Sequence, residues 1–175
     1  LKMGDSQVAV LSGSCIADAY TLAGEPITAS LTDVLLECLL TPNLEGGGFA
    51  AKNFELNKQE LIDDIDAEIN EKRSYAVIRA GKSIYEGEPA SISAHGDKEF
   101  AVALTPQSSY QQYQTLLKTA KIEIFFVGGG NPEETKNKFA KAFQGLERSF
   151  AGNAVSTKSP LKASVRNIVE TLDIA

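Results

Sequence analysis

The chain has 175 residues, 43% of them hydrophobic and 23% charged, with a net charge of −6. The mixture is that of an ordinary globular protein, long enough to bury about two-thirds of the surface its unfolded form exposes. The acidic balance withholds the basic footprint that nucleic acid or an anionic membrane demands, and no apolar run approaches the roughly 20 residues that cross a bilayer. With no secretory n-region and h-region visible either, a cytoplasmic setting is the expectation.

Taken in order, SQVAVLSGSCIADAY (6–20) alternates Val8, Val10, Ser12, Ser14 and Ile16 on one side and reads as a strand. After the Gly-Glu-Pro punctuation at 24–26, ITASLTDVLLECLL (27–40) carries Ile27, Leu31, Val34, Leu35, Cys38 and Leu39 at helical spacing. Thr41-Pro42 stops it, because the residue before a proline is pushed out of the helical region. Cys15 and Cys38 stand among apolar neighbours without metal-type spacing and read as reduced core thiols.

LEGGGF (44–49) reads as a flexible connection into one long helix over about 51–86, with a buried stripe of Phe54, Leu61, Ile65, Ile69, Ala76 and Ala80. EGEPASISAHGDKE (86–99) is a loop by its Gly, Pro and Ser content. Thr105-Pro106 opens the next helix, threonine capping free N–H groups and proline needing none at the first position. KIEIFFV (121–127) is the best strand in the chain, and GGGN then leads into a helix with Asn131 as cap, Pro132 first and Glu134 set for a capping box. Residues 150–164 read as linker. Strands covered by helices give a sheet, part of which other sequence would have to supply.

ELIDDIDAEINEK (60–72) packs six carboxylates into thirteen positions. Glu60, Asp64, Glu68 and Glu71 share one sector of the helix, and like charges at i,i+4 repel by roughly 0.2–0.5 kcal/mol per pair. Solvation, a basic partner, a cation or Lys72 four residues after Glu68 would relieve that. Zinc normally adds Cys or His to such a set, and the only histidine is His95 in the 86–99 loop. Histidine is the side chain best suited to acid–base work near neutrality, but His95 stands before a turn glycine, the commoner setting of a plain loop residue. FVGGGN lacks both the Walker lysine and the dinucleotide fingerprint, so it makes no phosphate cradle. No complete catalytic motif occurs.

The order of these segments resembles the pitrilysin/insulinase family of zinc peptidases, which includes the mitochondrial processing peptidase. The resemblance runs over most of residues 6–146. It rests on Pro42-Asn43-Leu44…Gly48-Phe49 entering the long helix, the loop glycine Gly96, Leu104-Thr105 before the Tyr110–Tyr113 helix, and the strand ending at Val127-Gly128. It implies an α+β module, an antiparallel sheet with helices packed on one face, truncated at its N-terminal side. Residues 1–149 would be an incomplete first module, and 150–175 a linker and lead-in to a second.

Active members of the family carry His-x-x-Glu-His, whose Glu takes a proton from zinc-bound water, and a third ligand on the long helix. That third position corresponds to Asp64 here, one methylene shorter than the usual Glu, with Asn57 where a further Glu is common. The inverted motif would fall before Leu1. The segment DAEINEKRSYAVIRA is closer to members that lack the metal motif and accompany an active partner. The leading expectation is therefore a piece of a peptidase homologue, inactive alone, with no cofactor in this chain and zinc confined to the parent. It would contribute to a peptide-binding chamber or pair with a second homologous module or an active subunit, and bare sheet edges would allow self-association. Two rivals are a first module of an active zinc endopeptidase using Asp64, and a non-peptidase module binding a basic partner through its acidic helix face.

Overall fold

The computed structural model describes residues 2–3, 6–149, 165 and 167–171, and these gather into two compact units. The 150–164 linker lies outside the described residues, as do residues 166 and 172–175 of the lead-in that follows it.

One unit holds Ala9–Glu55 and the chain from Leu104 to residue 149. Helix α1 (Ile27–Leu40) is apolar nearly all round and ends before Thr41-Pro42 as its sequence requires. Its first turn has no cap of its own. Asp18 supplies one from a distance, its Oδ1 accepting from the Thr28 N–H at 2.8 Å and the Thr28 hydroxyl at 2.9 Å. Helix α6 (Pro132–Gln144) packs on α1, where Lys138 Nζ reaches both oxygens of Asp33 at 2.7 Å and the Ala29 carbonyl at 3.0 Å. Asn131 caps α6 through the Glu133 and Glu134 N–H groups, as expected. Among the described residues the Glu134 carboxylate makes no return bond, so the cap stops short of a full box.

The GGG stretch is a built turn rather than a loose connection. Strands β3 (Leu44–Glu45) and β4 (Gly48–Phe49) pair antiparallel around Gly46 and Gly47, at φ 57° and 80°. Two consecutive positive φ values are what a type I′ hairpin needs, and glycine supplies them without strain. Gly48 then lies so close to helix α5 (Pro106–Thr119) that a Cβ would sit 2.6 Å from the Pro106 carbonyl carbon. Phe49 inserts edge-on between Tyr110 and Tyr113, with centroids 5.5 and 5.8 Å away. Thr105 and Ser108 cap α5 reciprocally behind Pro106.

The other unit is built on Leu56–Ala103, with the residues up to Val8 and the described ones from 165 onward. Strands β1 (Lys2–Met3) and β2 (Ser6–Gln7) pair antiparallel, and helix α4 (Lys98–Ala103) buries Ala101. The long helix of the sequence is broken. Helix α2 (Ala51–Ala67), which begins in the first unit, passes into a 3-10 turn at Glu68–Asn70 before helix α3 (Lys72–Ile84) begins. Asn70 favours turn over helix interior, and stacked carboxylates weaken the turn ahead of it. The break resets the helical phase. Phe54, Leu61, Ile65 and Ile69 are half-buried as expected, but Ala76 and Ala80 are exposed and the seam continues through Tyr75, Ile78 and Gly81.

Helices beside two short antiparallel ladders make the fold α+β. The longer strands expected over 6–20 and 121–127 form no ladder beyond Ser6–Gln7 among the described residues. Residues 121–127 have no neighbouring strand among the described residues, and Phe125 and Val127 are 86% and 98% exposed. Strand propensity is satisfied only when an edge is there to receive it. Cys15 and Cys38 are free thiols but exposed rather than in a core. No described helix is long and apolar enough to cross a membrane.

Candidate functional site

The helix break organises the acidic stretch. Asp63 accepts from Gln59 Nε2 at 2.8 Å, one turn earlier on α2. Asp66 pairs with Lys98 at 2.5 Å, at the start of α4. Glu68, in the 3-10 turn, meets His95 Nδ1 at 3.0 Å instead of Lys72, because the turn takes Lys72 out of i,i+4 register. Three of the six carboxylates are thus engaged within the unit. Glu60, Asp64 and Glu71 make no side-chain hydrogen bond or ion pair among the described residues, and Asp64 is exposed on α2.

The Glu68–His95 pair stands at one end of a cleft of about 480 Å³ between α3 and the Pro89–His95 segment. Val77, Ile78 and Ile92 supply its apolar wall, while Glu68, Glu71 and Ser74 supply polar groups. The Pro89–His95 segment is fixed from within. Ser93, itself buried, donates its hydroxyl to the Gly96 carbonyl at 2.7 Å, and Gly96 takes φ 79° to close that turn. From the other side, Lys2 on β1 and Gln7 on β2 reach the carbonyls of Pro89 and Ser93 at 2.6 and 3.1 Å.

Asp64 and His95, both singled out from sequence, lie in this unit, but the residue joined to His95 is Glu68. Sequence reasoning missed that pairing because the two are 27 positions apart and a continuous helix sends Glu68 toward Lys72. Asn70, disfavoured inside a helix, was the available signal. Among the described residues no three His, Cys, Asp or Glu side chains come together in a way that could hold a metal ion. Zinc therefore does not fit the donors these residues bring together by themselves. The FVGGGN turn is a packing device: a Cβ on Gly130 would sit 2.8 Å from Thr28 Cγ2.

The sequence is 20% identical over 173 residues to the probable inactive metalloprotease YmfF of Bacillus subtilis (strain 168). This chain is metalloprotease-like. The match covers 99% of this chain and 40% of YmfF, so the chain spans well under half of that relative. In structure it is similar to a conserved protein from Enterococcus faecalis V583, with a TM-score of 0.71 and 24% identity over 86% of this chain and 35% of that one. That likeness speaks to fold alone. No protein-family model matches.

Metalloprotease likeness and the geometry of the acidic stretch bear on each other. Of the six carboxylates of 60–72, Asp63, Asp66 and Glu68 are paired within the unit, and Asp64 is exposed. The single histidine is bonded to Glu68 on the wall of a cleft. What the arrangement offers chemically is a half-apolar surface with carboxylates and a histidine at its lining.

Proposed function

We infer that this chain is part of a pitrilysin/insulinase-like protein, that it performs no hydrolysis by itself, and that it serves by holding polypeptide or by pairing with a second, homologous module. The observation that carries the reading is the match to a probable inactive metalloprotease along 99% of the chain. The engagement of Asp63, Asp66 and Glu68 with neighbours inside the unit supports it, since those carboxylates are already spent on structure. Asp64 is the position at which a zinc-binding relative would place its third ligand. It would take up that role only with ligands contributed from elsewhere in a longer protein.

The test is zinc titration by calorimetry, followed by incubation with an unstructured, quenched fluorescent peptide. The chain should take up no stoichiometric zinc at micromolar concentration and release no fluorescence. Zinc uptake at one equivalent that disappears in Asp64→Ala, accompanied by chelator-sensitive cleavage, would replace this reading with that of an active zinc endopeptidase.

A further inference from the structure

Residues 121–127 carry the marks of a strand without the pairing of one. The chain leaves α5 extended at Ala120, with φ −70° and ψ 148°. Lys121 Nζ and Glu123 Oε1 then meet at 2.5 Å, as side chains two positions apart do on one side of a strand. Exposure follows the same alternation. Ile122 and Phe126 are half-buried, while Lys121, Glu123, Phe125 and Val127 face solvent, and Ile124 at the centre is 48% exposed. Among the described residues, no backbone N–H or C=O group from Lys121 to Val127 makes a hydrogen bond. Such an edge is a template for another strand, and charges, proline or a bulge commonly guard it. Here the two charges, Lys121 and Glu123, stand at one end and pair with each other, leaving Phe125 and Val127 bare.

We propose that a second copy of this chain covers this edge, by antiparallel pairing of 121–127 about a two-fold axis at Ile124. In that register Ile124 opposes its own mate, Ile122 opposes Phe126, Glu123 opposes Phe125 and Lys121 opposes Val127. No like charges face each other, whereas in-register parallel pairing would stack Lys121 on Lys121 and Glu123 on Glu123. On the exposed face the two Phe125 side chains become diagonal neighbours across the axis, and the Lys121 stem lies against Val127. The strand is thus its own complement, the condition that a two-fold interface sets. Phe126 meanwhile keeps each strand on its own unit, since a Cβ on Gly130 would sit 3.1 Å from Phe126 Cζ. The two-stranded ribbon is therefore backed by protein, which a bare ribbon in water needs. One strand pair buries less than about 1,200 Å², the size of weak associations, so dimer should form between about 10 µM and 1 mM.

This goes beyond the reading above and does not rest on it, because the edge can pair whether or not the chain holds polypeptide. The test is sedimentation velocity of the whole chain over that concentration range, with hydrogen exchange of 121–127 read in parallel. The average mass should rise toward twice the monomer's, and exchange of those amides should slow as concentration rises. Phe125→Lys sets two ammonium groups diagonal across the axis and should weaken association about tenfold. Its side chain is 86% exposed, so the substitution leaves the fold intact. The register is read by Ile124→Cys, made in a chain that also carries Cys15→Ser and Cys38→Ser. It should cross-link two copies on mild oxidation, because opposed Cα atoms in a strand pair lie about 4.5–5.5 Å apart, within disulfide reach. Lys121→Cys in the same background should not, since its mate would lie about 20 Å along the ribbon. A monomer throughout the range would overturn the proposal. So would growth past the dimer, unaltered association in Phe125→Lys, or equal cross-linking at 121 and 124.

Discussion

Tyr113 ties three pieces of its unit together, and removing its hydroxyl has a calculable consequence. The phenol donates to the Leu39 carbonyl at 2.5 Å, and its ring meets Phe49 edge-on. Leu39 is in the last turn of α1, where carbonyls have no partner within the helix. Tyr113→Phe keeps the ring and loses the donor, so it should cost about 1 kcal/mol, the usual net worth of one such bond. In a chain of this size that is a fall of roughly 2–4 °C in Tm, read by circular dichroism at 222 nm. A second, independent signature lies in pH. Burial, and then the neighbouring Cys38 and Tyr110, raise the Tyr113 pKa above its ordinary value of 10.0. The unfolded chain therefore gives up this proton first. Its contribution to stability is intact below pH 10 and is lost as pH rises through the folded pKa. Tyr113→Phe should be less stable than the unaltered chain at pH 8, and the gap should narrow above pH 10. Equal stability at pH 8, or a gap that widens in alkali, would refute the assignment of Tyr113 as a neutral donor that holds the end of α1.

Other substitutions separate the contributions of cap, close approach and helix propensity. Asp18→Ala removes the remote cap of α1 and should cost about 1–2 kcal/mol in urea unfolding, with Asp18→Asn recovering part of it. Gly48→Ala drives a methyl into the Pro106–Gln107 backbone and should destabilise by about 1–3 kcal/mol or prevent folding of that unit. Gly81→Ala meets nothing within 4 Å inside α3 and should stabilise by about 0.5–1 kcal/mol.

Punctuation in the sequence was informative wherever the physics was local. Thr105-Pro106, Asn131-Pro132 and Thr41-Pro42 mark helix boundaries that the structure reproduces, because capping and the missing proline N–H act within a few residues. Where the outcome depended on distant chain, the reading failed. KIEIFFV has the composition of a strand, but a ladder needs a second edge, which no described residue provides. GGGF is a tight turn and not slack, because its two adjacent glycines supply consecutive positive φ values. The stripe beyond Ile69 was misphased because the periodicity was carried through Asn70, and with it went the Glu68–His95 contact. Cys15 and Cys38 had apolar neighbours in sequence, yet both are exposed, since sequence neighbours do not determine what lies over a side chain.

The central claim is that this metalloprotease-like chain holds polypeptide and does not cut it. Mass spectrometry of a Lys-, Gly- and Val-containing peptide, incubated with the chain at saturating concentration with and without equimolar zinc, tests both halves at once. Native spectra should show a one-to-one complex, and denatured spectra should return the peptide at its full mass under both conditions. Fragments that form only with zinc and vanish in Asp64→Ala would contradict the account.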